Sequence, residues 1–476
     1  MESAPGQPAP PLCVDLDGTL LRSDLLMEST LALLAQRPWM LFLLPWWLLR
    51  GKAHLKRQVA LRVRLDPATL PYDARVLDYL RANPRRHRVL CTASDDGLVR
   101  PLAEHLGCFD EVMASDGQRN LAGSNKARAL VERFGERGFD YAGNGTVDLA
   151  VWSHARRALV VNAGPALARA AASRCEVEAH WPDQGGGLRA WLRALRLHQW
   201  LKNLLVFIPL LASHRFFDPD ALVASASGFL AFGLCASGVY LLNDLLDLPS
   251  DRQHPRKRLR PFAAGSLSLL QGALLAPVLA LAGLAVAWWA EPRFALVLAA
   301  YYLLTLGYSL QFKRVVMLDV ILLAALYTVR IIGGTVVIGA MLSFWLLAFS
   351  MFIFLSLALL KRYTERAAML AAGRSDAAGR GYTVEDLPLL QSQGASAGYL
   401  AVLVLALYIN SAESIALYAR PQMLWLLCPL MLYWVSRTWV IAHRGEMNDD
   451  PVVFAATDRV SQVVGLLCGV IALFAI

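Results

Sequence analysis

Beyond about residue 190 the chain is a succession of apolar runs, and these limit its possible folds more than any other feature. A backbone inside hydrocarbon must pair its own N–H and C=O groups, so apolar runs of about twenty residues read as spanning helices. Nine are expected, at approximately 200–213, 221–242, 269–290, 294–310, 316–338, 343–360, 397–418, 422–442 and 460–476. The first is short and would need residues upstream of it to complete a crossing. Loop charge sets the expected orientation. Fourteen Lys and Arg follow the even-numbered spans (Arg252, Arg256, Lys257, Arg258, Arg260, Lys313, Arg314, Lys361, Arg362, Arg366, Arg374, Arg380, Arg444 and Arg459), against three, Arg215, Arg293 and Arg420, after the odd-numbered ones. The positive-inside rule puts the fourteen in the cytoplasm, together with everything N-terminal to the first span.

One polar stretch, Tyr240 to Gly265 (YLLNDLLDLPSDRQHPRKRLRPFAAG), follows the second run. With Asn243 at 0° on a helix of about 100° per residue, Asp247 falls at about 40°, Asp251 at about 80° and Asp244 at about 100°, so four oxygen-bearing side chains share one arc. Such a face suits Mg²⁺, which takes one or two protein oxygens directly and the rest from water and diphosphate. For any single acidic pair, a solvated helix end is the plainer reading. Pro249 removes a helical hydrogen bond, which would put Asp251 on a loop.

The chain is 56% hydrophobic, but its first 190 residues contain long charged stretches while the remainder is dominated by apolar runs, so a soluble domain precedes a membrane domain. The expected division is a disordered Pro-rich tail at 1–11, an α/β domain at 12–182, a flexible linker at 183–188 around DQGGG, and an all-α membrane domain at 189–476. A net charge of +9 would suggest nucleic acid in a soluble protein. Here much of it lies between apolar runs, so anionic phosphate substrates and lipid headgroups are expected and nucleic acid is not. The start, MESAPGQPAPP, has neither a basic nor an apolar region of a signal peptide, so none is expected. Seven Cys without a CxxC pair read as small buried hydrophobes in a reducing compartment. A homo-oligomer is compatible with the sequence and not specified by it.

PLCVDLDGTLL reads as a short strand that delivers Asp15 and Asp17 at its carboxyl end, followed by Gly18 and Thr19. Two residues apart on extended backbone, the carboxylates point the same way, and one can attack phosphorus while the other handles the leaving group's proton. RHRVLCTAS is a second strand ending at Thr92 with Ser94 close by, GSNKARALVERFG opens a helix with Lys126, and FDYAGNGTVDLAVW is a third strand and a turn from Gly143 to Asp148. ALVVNA is expected to close the sheet near Ala163. In this order the four motifs resemble the haloacid dehalogenase-like (HAD) phosphatase superfamily over about residues 12–165. The resemblance implies a Rossmann-like fold with a helical cap at about 22–86. It also implies a nucleophilic Asp15, an acid–base Asp17, a phosphoryl-holding Thr92, a charge-neutralising Lys126, and Mg²⁺ held by Asp15, Asp17, Asn144 and Asp148. Asn144 departs from the pattern: the family usually has Asp there, so the site loses a charge and its expected metal affinity drops.

Within the cap, PWMLFLLPWWLLRGKAHLKRQ sets Trp39, Trp46 and Trp47 in an apolar run ahead of Arg50, Lys52, Lys56 and Arg57. Interrupted by Pro45, it is too short to span a bilayer. Two readings stay open: a segment lying at a membrane interface, and an ordinary buried cap helix.

GYSLQFKRVVMLDV supplies Tyr308, Lys313, Arg314 and Asp319, and Arg330 falls inside the following run. An intramembrane Arg is costly unless paired or facing a cavity, and an ion pair with Asp319 is the structural alternative to a functional role. KRY at 361–363, RGYTVEDL at 380–387 and RGEMNDDPVVFAATDR at 444–459 are expected to add anion-binding and capping groups, most charges at 365–380 being solvated loop. The NDxxDxxxD run after the second span, a Lys and an Asp after the fourth, and nine helices resemble the UbiA prenyltransferase superfamily. HPRKRLRP, QWLKNLLVF and DPVVFAATDR look most like its decaprenyl-phosphate 5-phosphoribosyltransferases, over about 190–476.

That resemblance implies a multi-pass protein of a bacterial-type inner membrane, with both sites cytoplasmic, that moves 5-phosphoribose from phosphoribosyl pyrophosphate (PRPP) to a polyprenyl phosphate and releases pyrophosphate. Mg²⁺ would be held by Asn243, Asp244, Asp247 and Asp251, with Asp319 as a further metal or orienting group; Asp247 and Asp251 are also the expected catalytic residues. Lys202, Asn203, His254, Lys257, Arg260, Tyr308, Lys313 and Arg330 would bind substrate. The basic run His254 to Arg260 offers more positive charge than one diphosphate needs, which suits the extra 5-phosphate of PRPP. The fused phosphatase would then remove that phosphate and leave polyprenyl-phosphoryl-ribose, a cell-envelope lipid. The rivals are an aromatic prenyltransferase using a polyprenyl diphosphate, and a phosphoribosyltransferase whose HAD-like half is non-catalytic because of Asn144. A transporter is disfavoured, since charge clusters on one side and Arg330 and Glu413 stand alone at mid-membrane.

Overall fold

The computed structural model describes residues 9–116, 120–371, 373, 381–447 and 451–476. The first eight residues of the expected disordered tail, Arg374, Arg380 and residues 448–450 lie outside these. The chain forms two compact units: one runs up to Leu195 and takes in Tyr240–Leu275, the other comprises Arg196–Val239 and Ala276–Ile476. By its packing, then, the polar stretch belongs to the first unit.

Six parallel strands build the sheet of the first unit: β1 (Leu12–Val14), β2 (Arg88–Asp95), β3 (Glu111–Ser115), β4 (Asp140–Gly143), β5 (Arg157–Val161) and β6 (Glu176–Trp181), in the order β3-β2-β1-β4-β5-β6. Parallel sheets are covered on both faces, and the alternation of β1 shows it. Leu12 and Val14 enter one core with Leu90 and Leu159; Cys13 enters the other with Val89, Tyr141 and Trp152. Two expectations are corrected here. β2 does not end at Thr92 but runs to Asp95, and ALVVNA does not close the sheet, because β6 pairs beyond it with Arg157 opposite Glu176 and Val161 opposite Trp181. As an edge strand EVEAHW mixes charged and apolar residues, which hides it among the loops.

Between β1 and β2 lies a helical insertion: α1 (Leu25–Gln36), a 3-10 turn (Pro38–Phe42), α2 (Leu44–Leu49) and α3 (Lys52–Ala60). It has a core of its own, made of Leu33, Met40, Trp47, Val59 and Val63. An antiparallel bridge between Leu21 and Tyr72 closes its neck. The insertion therefore ends near Tyr72 and not at 86, since α4 (Ala74–Ala82) turns Val76 and Leu80 into the sheet core.

In the polar stretch, the helix Pro219–Leu246 gives way at Asp247 to a short helix, Leu248–Gln253. Pro249 sits in the first turn of the new helix, where a missing N–H costs nothing. Asp251 is thus helical and not on a loop, and the hydrogen bonds Asp247 N–H to Asn243 O (2.9 Å) and Asp251 N–H to Asp247 O (2.8 Å) carry the helical register across the break. The expected linker is tacked down as well: Gly186 N–H bonds Ser266 O at 3.1 Å, and a helix begins at Gly187.

Among the described residues seven helices are long and apolar enough to cross a membrane: Pro219–Leu246, Leu269–Ala290, Pro292–Leu310, Leu318–Val337, Phe344–Ala371, Val384–Ile409 and Pro421–His443. An eighth exists if Pro451–Thr457 and Arg459–Ala475, bent by 74°, count as one span. The expected nine therefore become seven or eight. The segment at 200–213 forms eleven residues of 3-10 helix, Leu197–Phe207, and five of α-helix, Ile208–Ala212, fewer than the roughly twenty residues a spanning α-helix takes. The expected span at 397–418 instead starts at Val384, behind a Thr383–Asp386 capping box. Phe344–Ala371 runs past 360, so Arg362 and Arg366 lie on buried helix; of the charges at 365–380 expected to be mostly solvated loop, Arg366 is an exception, and Arg374, Asp376 and Arg380 lie outside the described residues. All seven cysteines are free; six are buried and Cys468 is half-buried.

Candidate functional site

Asp15 leaves β1 at the point where the strand order reverses, the usual place for a ligand on such a sheet, with its N–H on Ala142 O of β4 (2.9 Å). Lys126 Nζ donates to Asp15 Oδ1 at 2.6 Å and to the Tyr141 hydroxyl at 2.9 Å, and that hydroxyl donates to Asp148 Oδ1 at 2.9 Å. Asp148 Oδ2 accepts the N–H groups of Asn144 (3.0 Å) and Gly145 (2.9 Å), which fixes the turn. Asn144 Oδ1 accepts from the Thr19 hydroxyl at 3.3 Å. Gly18, at φ +75°, is required here: a Cβ on it would lie 2.1 Å from Asn144 Nδ2.

Asp17 is held from two sides, by Leu25 N–H on Oδ1 (2.7 Å) and by the Ser94 hydroxyl on Oδ2 (2.8 Å). Thr92, fully buried, accepts the Ser94 N–H at 3.0 Å. Burial pushes the Asp15 carboxyl up to about 7; Lys126 pulls it down, while Asp148 and Asp17 push it further up. Burial likewise takes Asp17 up to about 6, with Asp24 adding to the rise. This surplus of buried negative charge, on oxygen donors only, fits a hard divalent cation. The cap adds Lys56, whose Nζ donates to Ala93 O at 2.6 Å and whose charge opposes that of Asp17. Of the two readings open for the run that holds Lys56 and Arg57, Lys56 follows the inward one, while Arg57, its side chain 44% exposed, pairs with Asp95 at 3.2 Å.

In the polar stretch Asp244 and Asp251, each 2% exposed, accept from the same Arg260 Nη1, at 3.1 and 2.6 Å. Burial pushes Asp251 up, and Arg260 holds it back. Arg260 is therefore the present counterion of the two acids. Asn243 and Asp247, both half-buried, lie on the same helical register. Among the described residues no three His, Cys, Asp or Glu are grouped as a metal cluster. Two carboxylates converging on one cationic nitrogen fit Mg²⁺ nonetheless, because that ion takes few protein oxygens and keeps its waters. His254 Nδ1 accepts the N–H groups of Arg256 and Lys257 (3.2 and 3.3 Å), capping the turn that presents the exposed Lys257.

The second unit gathers the remaining residues into two groups. Arg330, 5% exposed, donates to Asn203 Oδ1 and to the Tyr301 hydroxyl, each at 2.9 Å. Its guanidinium lies 5.6 Å from the Tyr327 ring, which Lys202 Nζ also approaches at 5.9 Å. The alternative of an Arg330–Asp319 ion pair is thereby excluded. Asp319 pairs instead with Arg362 (Nε to Oδ2, 2.5 Å) and accepts from the Tyr382 hydroxyl (2.7 Å). Arg362 also donates to Tyr308 (2.9 Å) and Glu365 (2.7 Å), so the KRY and RGYTVEDL motifs meet at Asp319. Lys313 lies in the 3-10 turn Phe312–Arg314.

The profile of the UbiA prenyltransferase family matches residues 204–459. The chain is 37% identical over 462 residues, 96% of its length and 89% of the relative's, to an uncharacterized protein y4nM of Sinorhizobium fredii. It is 39% identical to the nodulation protein NoeC of Azorhizobium caulinodans over 59% of this chain and 92% of that one. It is 38% identical to the decaprenyl-phosphate phosphoribosyltransferase of Mycolicibacterium smegmatis over 180 residues, 37% of this chain and 56% of that protein. A solved UbiA homolog from Archaeoglobus fulgidus bound to GPP and Mg²⁺ superposes with a TM-score of 0.46 at 17% identity, over 60% of this chain and 99% of that one. With more than half its length matched, the chain belongs to the UbiA prenyltransferase family, as a multi-pass integral membrane protein whose N-terminal part is a parallel α/β domain.

Proposed function

We propose that the membrane part transfers 5-phosphoribose from PRPP to a polyprenyl phosphate, with loss of pyrophosphate, and that the α/β domain then removes the 5-phosphate. The observation that carries the first half is the convergence of Asp244 and Asp251 on Arg260 within a stretch that continues into exposed Lys257 and Arg258. The similarity to a decaprenyl-phosphate phosphoribosyltransferase supports the choice of donor and acceptor. Mg²⁺, when bound by Asp244 and Asp251 with Asn243 and Asp247 beside them, would neutralise the departing pyrophosphate. Arg260, released from the two acids, is then placed to grip phosphate oxygens, and Lys257 adds charge for the 5-phosphate. In the second unit Lys202, Asn203 and Arg330 form a buried cationic and amide cluster that would suit a phosphate, while Asp319 orients Arg362. Incubation with radiolabelled PRPP and polyprenyl phosphate tests the reading. Label in the lipid fraction is expected, and its absence in favour of activity on an aromatic acceptor with polyprenyl diphosphate would overturn it.

For the α/β domain, Asp15 attacks the phosphorus of the 5-phosphate while Asp17 delivers a proton to the ribose oxygen that leaves. Water then cleaves the phospho-aspartate, with Asp17 taking the proton back. Lys126, itself neutralised by Asp15, and the Thr92 hydroxyl steady the transferring group; Asp148 holds the turn bearing Asn144, where Mg²⁺ would complete the site. Asp15→Asn is expected to make 5-phosphorylated lipid accumulate with transfer intact. Dephosphorylated product from that variant would show the domain to be non-catalytic.

A further inference from the structure

The cap carries a surface that neither candidate site uses. Trp39, Leu41, Phe42, Trp46, Leu48 and Leu49 are exposed, Phe42 by 82% and Leu49 by 83%, whereas Met40 and Trp47 between them are buried in the cap's own core. The 3-10 turn and α2 thus have one anchored face and one apolar face turned outward. Single exposed hydrophobic residues are ordinary, but a contiguous group of six large ones marks an interaction surface.

Its rim is basic. Arg37, Arg50 and Lys52 are exposed around it, and the Arg50 guanidinium lies 5.3 Å from the Trp46 ring. From Ser29 to Leu65 the chain has seven Lys and Arg and no Asp or Glu. Tryptophan and basic side chains around an apolar wedge are the composition of a segment lying in a bilayer interface, and anionic headgroups are its charge complement. We propose that this face of the cap beds into the headgroup layer of an anionic membrane surface. A bilayer is always at hand, because the same polypeptide belongs to a multi-pass membrane family.

The patch is mechanically close to the α/β site. α3 packs on Trp47 through Val59, and the same helix sends Lys56 to Ala93 O beside Asp17. Bedding the patch therefore fixes the cap helix that borders the phosphatase pocket at headgroup depth, where a lipid-borne phosphate lies. This consequence rests on the phosphatase reading; the membrane contact does not.

The test uses the full chain in vesicles of equimolar phosphatidylcholine and phosphatidylglycerol. Phe42→Cys and Leu49→Cys carry a nitroxide each, Arg169→Cys on the exposed face of the α/β domain serves as the water reference, and unsubstituted protein supplies the background from native cysteines. Collision with oxygen relative to a nickel chelate is expected to be severalfold higher at 42 and 49 than at 169. Equal nickel access at all three sites would overturn the proposal, and so would shielding from both reagents with dipolar broadening, which would assign the face to a second copy of the chain. Adding Asp15→Asn should leave the depth unchanged, so loss of phosphatase activity and loss of membrane contact are read separately. A Trp39→Ser, Phe42→Ser, Leu49→Ser variant should hydrolyse a soluble phosphate ester normally and phosphoribosyl lipid about tenfold more slowly, as loss of the cap's fixed position at headgroup depth requires.

Discussion

The Glu28 carboxylate accepts two hydrogen bonds from the Arg252 guanidinium, at 2.6 and 3.0 Å, with side-chain exposures of 3% and 7%. Arg252 follows Asp251 directly and is braced by a third bond, from Nε to Ala263 O (3.0 Å). Glu28 stands in the first turn of α1, whose opening N–H, that of Leu25, is bound by Asp17. One turn of helix thus joins the proposed phosphatase acid to the residue beside the proposed transferase metal ligand.

Removing one partner of such a buried pair strands the other charge. Glu28→Ala should cost about 3–5 kcal/mol, seen as a lower thermal transition of the purified protein, whereas Glu28→Leu combined with Arg252→Met should recover most of it. Equal losses in the single and double variants would mean that the pair contributes through packing alone.

Arg260 is predicted to separate metal binding from turnover. Arg260→Met deprives Asp244 and Asp251 of their cation, so the Mg²⁺ concentration that half-saturates transfer should fall or hold, while the maximal rate drops about a hundredfold for want of a phosphate clamp. Asp251→Asn should raise the Mg²⁺ requirement and lower the rate together. Magnesium titrations of label transfer distinguish the two patterns, and a raised requirement in Arg260→Met would exclude its role as stand-in counterion.

The parts of this architecture legible in the sequence are those written in local spacing. DxDGT needs only a strand end, and helical periodicity alone aligns Asn243, Asp247 and Asp251; the loop expected after Pro249 does not form, because a proline in the first turn of a helix does not interrupt the ladder. What escaped depends on partners far apart in the chain. Nothing near Arg252 in sequence announces Glu28, and nothing in KRY announces that Arg362 would take Asp319 while Arg330 turned to Asn203. Lys56 escaped for a related reason: its run allowed both an interfacial and a buried reading, and only the cap's fold onto β2 shows that this lysine faces Ala93.

Metal binding by the α/β domain should depend on pH with a defined sign. Asp17 and Asp15 are raised to about 6 and about 7, and a carboxylate must lose its proton before it ligates. Stabilisation by added Mg²⁺ should therefore be small at pH 5.5 and grow as pH rises through 6 to 7. In chelator the sign reverses: folded carboxyls that hold protons above their ordinary 3.8 lose stability as pH climbs from about 4 through those same values. Thermal transitions with and without Mg²⁺ across this range check both statements. A magnesium shift independent of pH would place the ion elsewhere.

Asn144 offers the sharpest test of whether the α/β site was built for a metal. Its amide oxygen takes the Thr19 hydroxyl and its amide nitrogen crowds Gly18, so the side chain is already aimed at the DxDGT loop. Asn144→Asp keeps that shape and adds a charge to a group that already holds Asp15, Asp17 and Asp148. Without metal the added repulsion should lower stability; with metal the half-saturating Mg²⁺ for hydrolysis of phosphoribosyl lipid should fall about tenfold, since ligand charge sets affinity at such sites. Gly18→Ala is the control. It forces a Cβ into the same space at a positive φ, so it should destabilise the loop whatever the magnesium concentration. If Asn144→Asp behaves like Gly18→Ala, harmful with or without the ion, the position serves to brace the loop and the metal reading of this turn is lost.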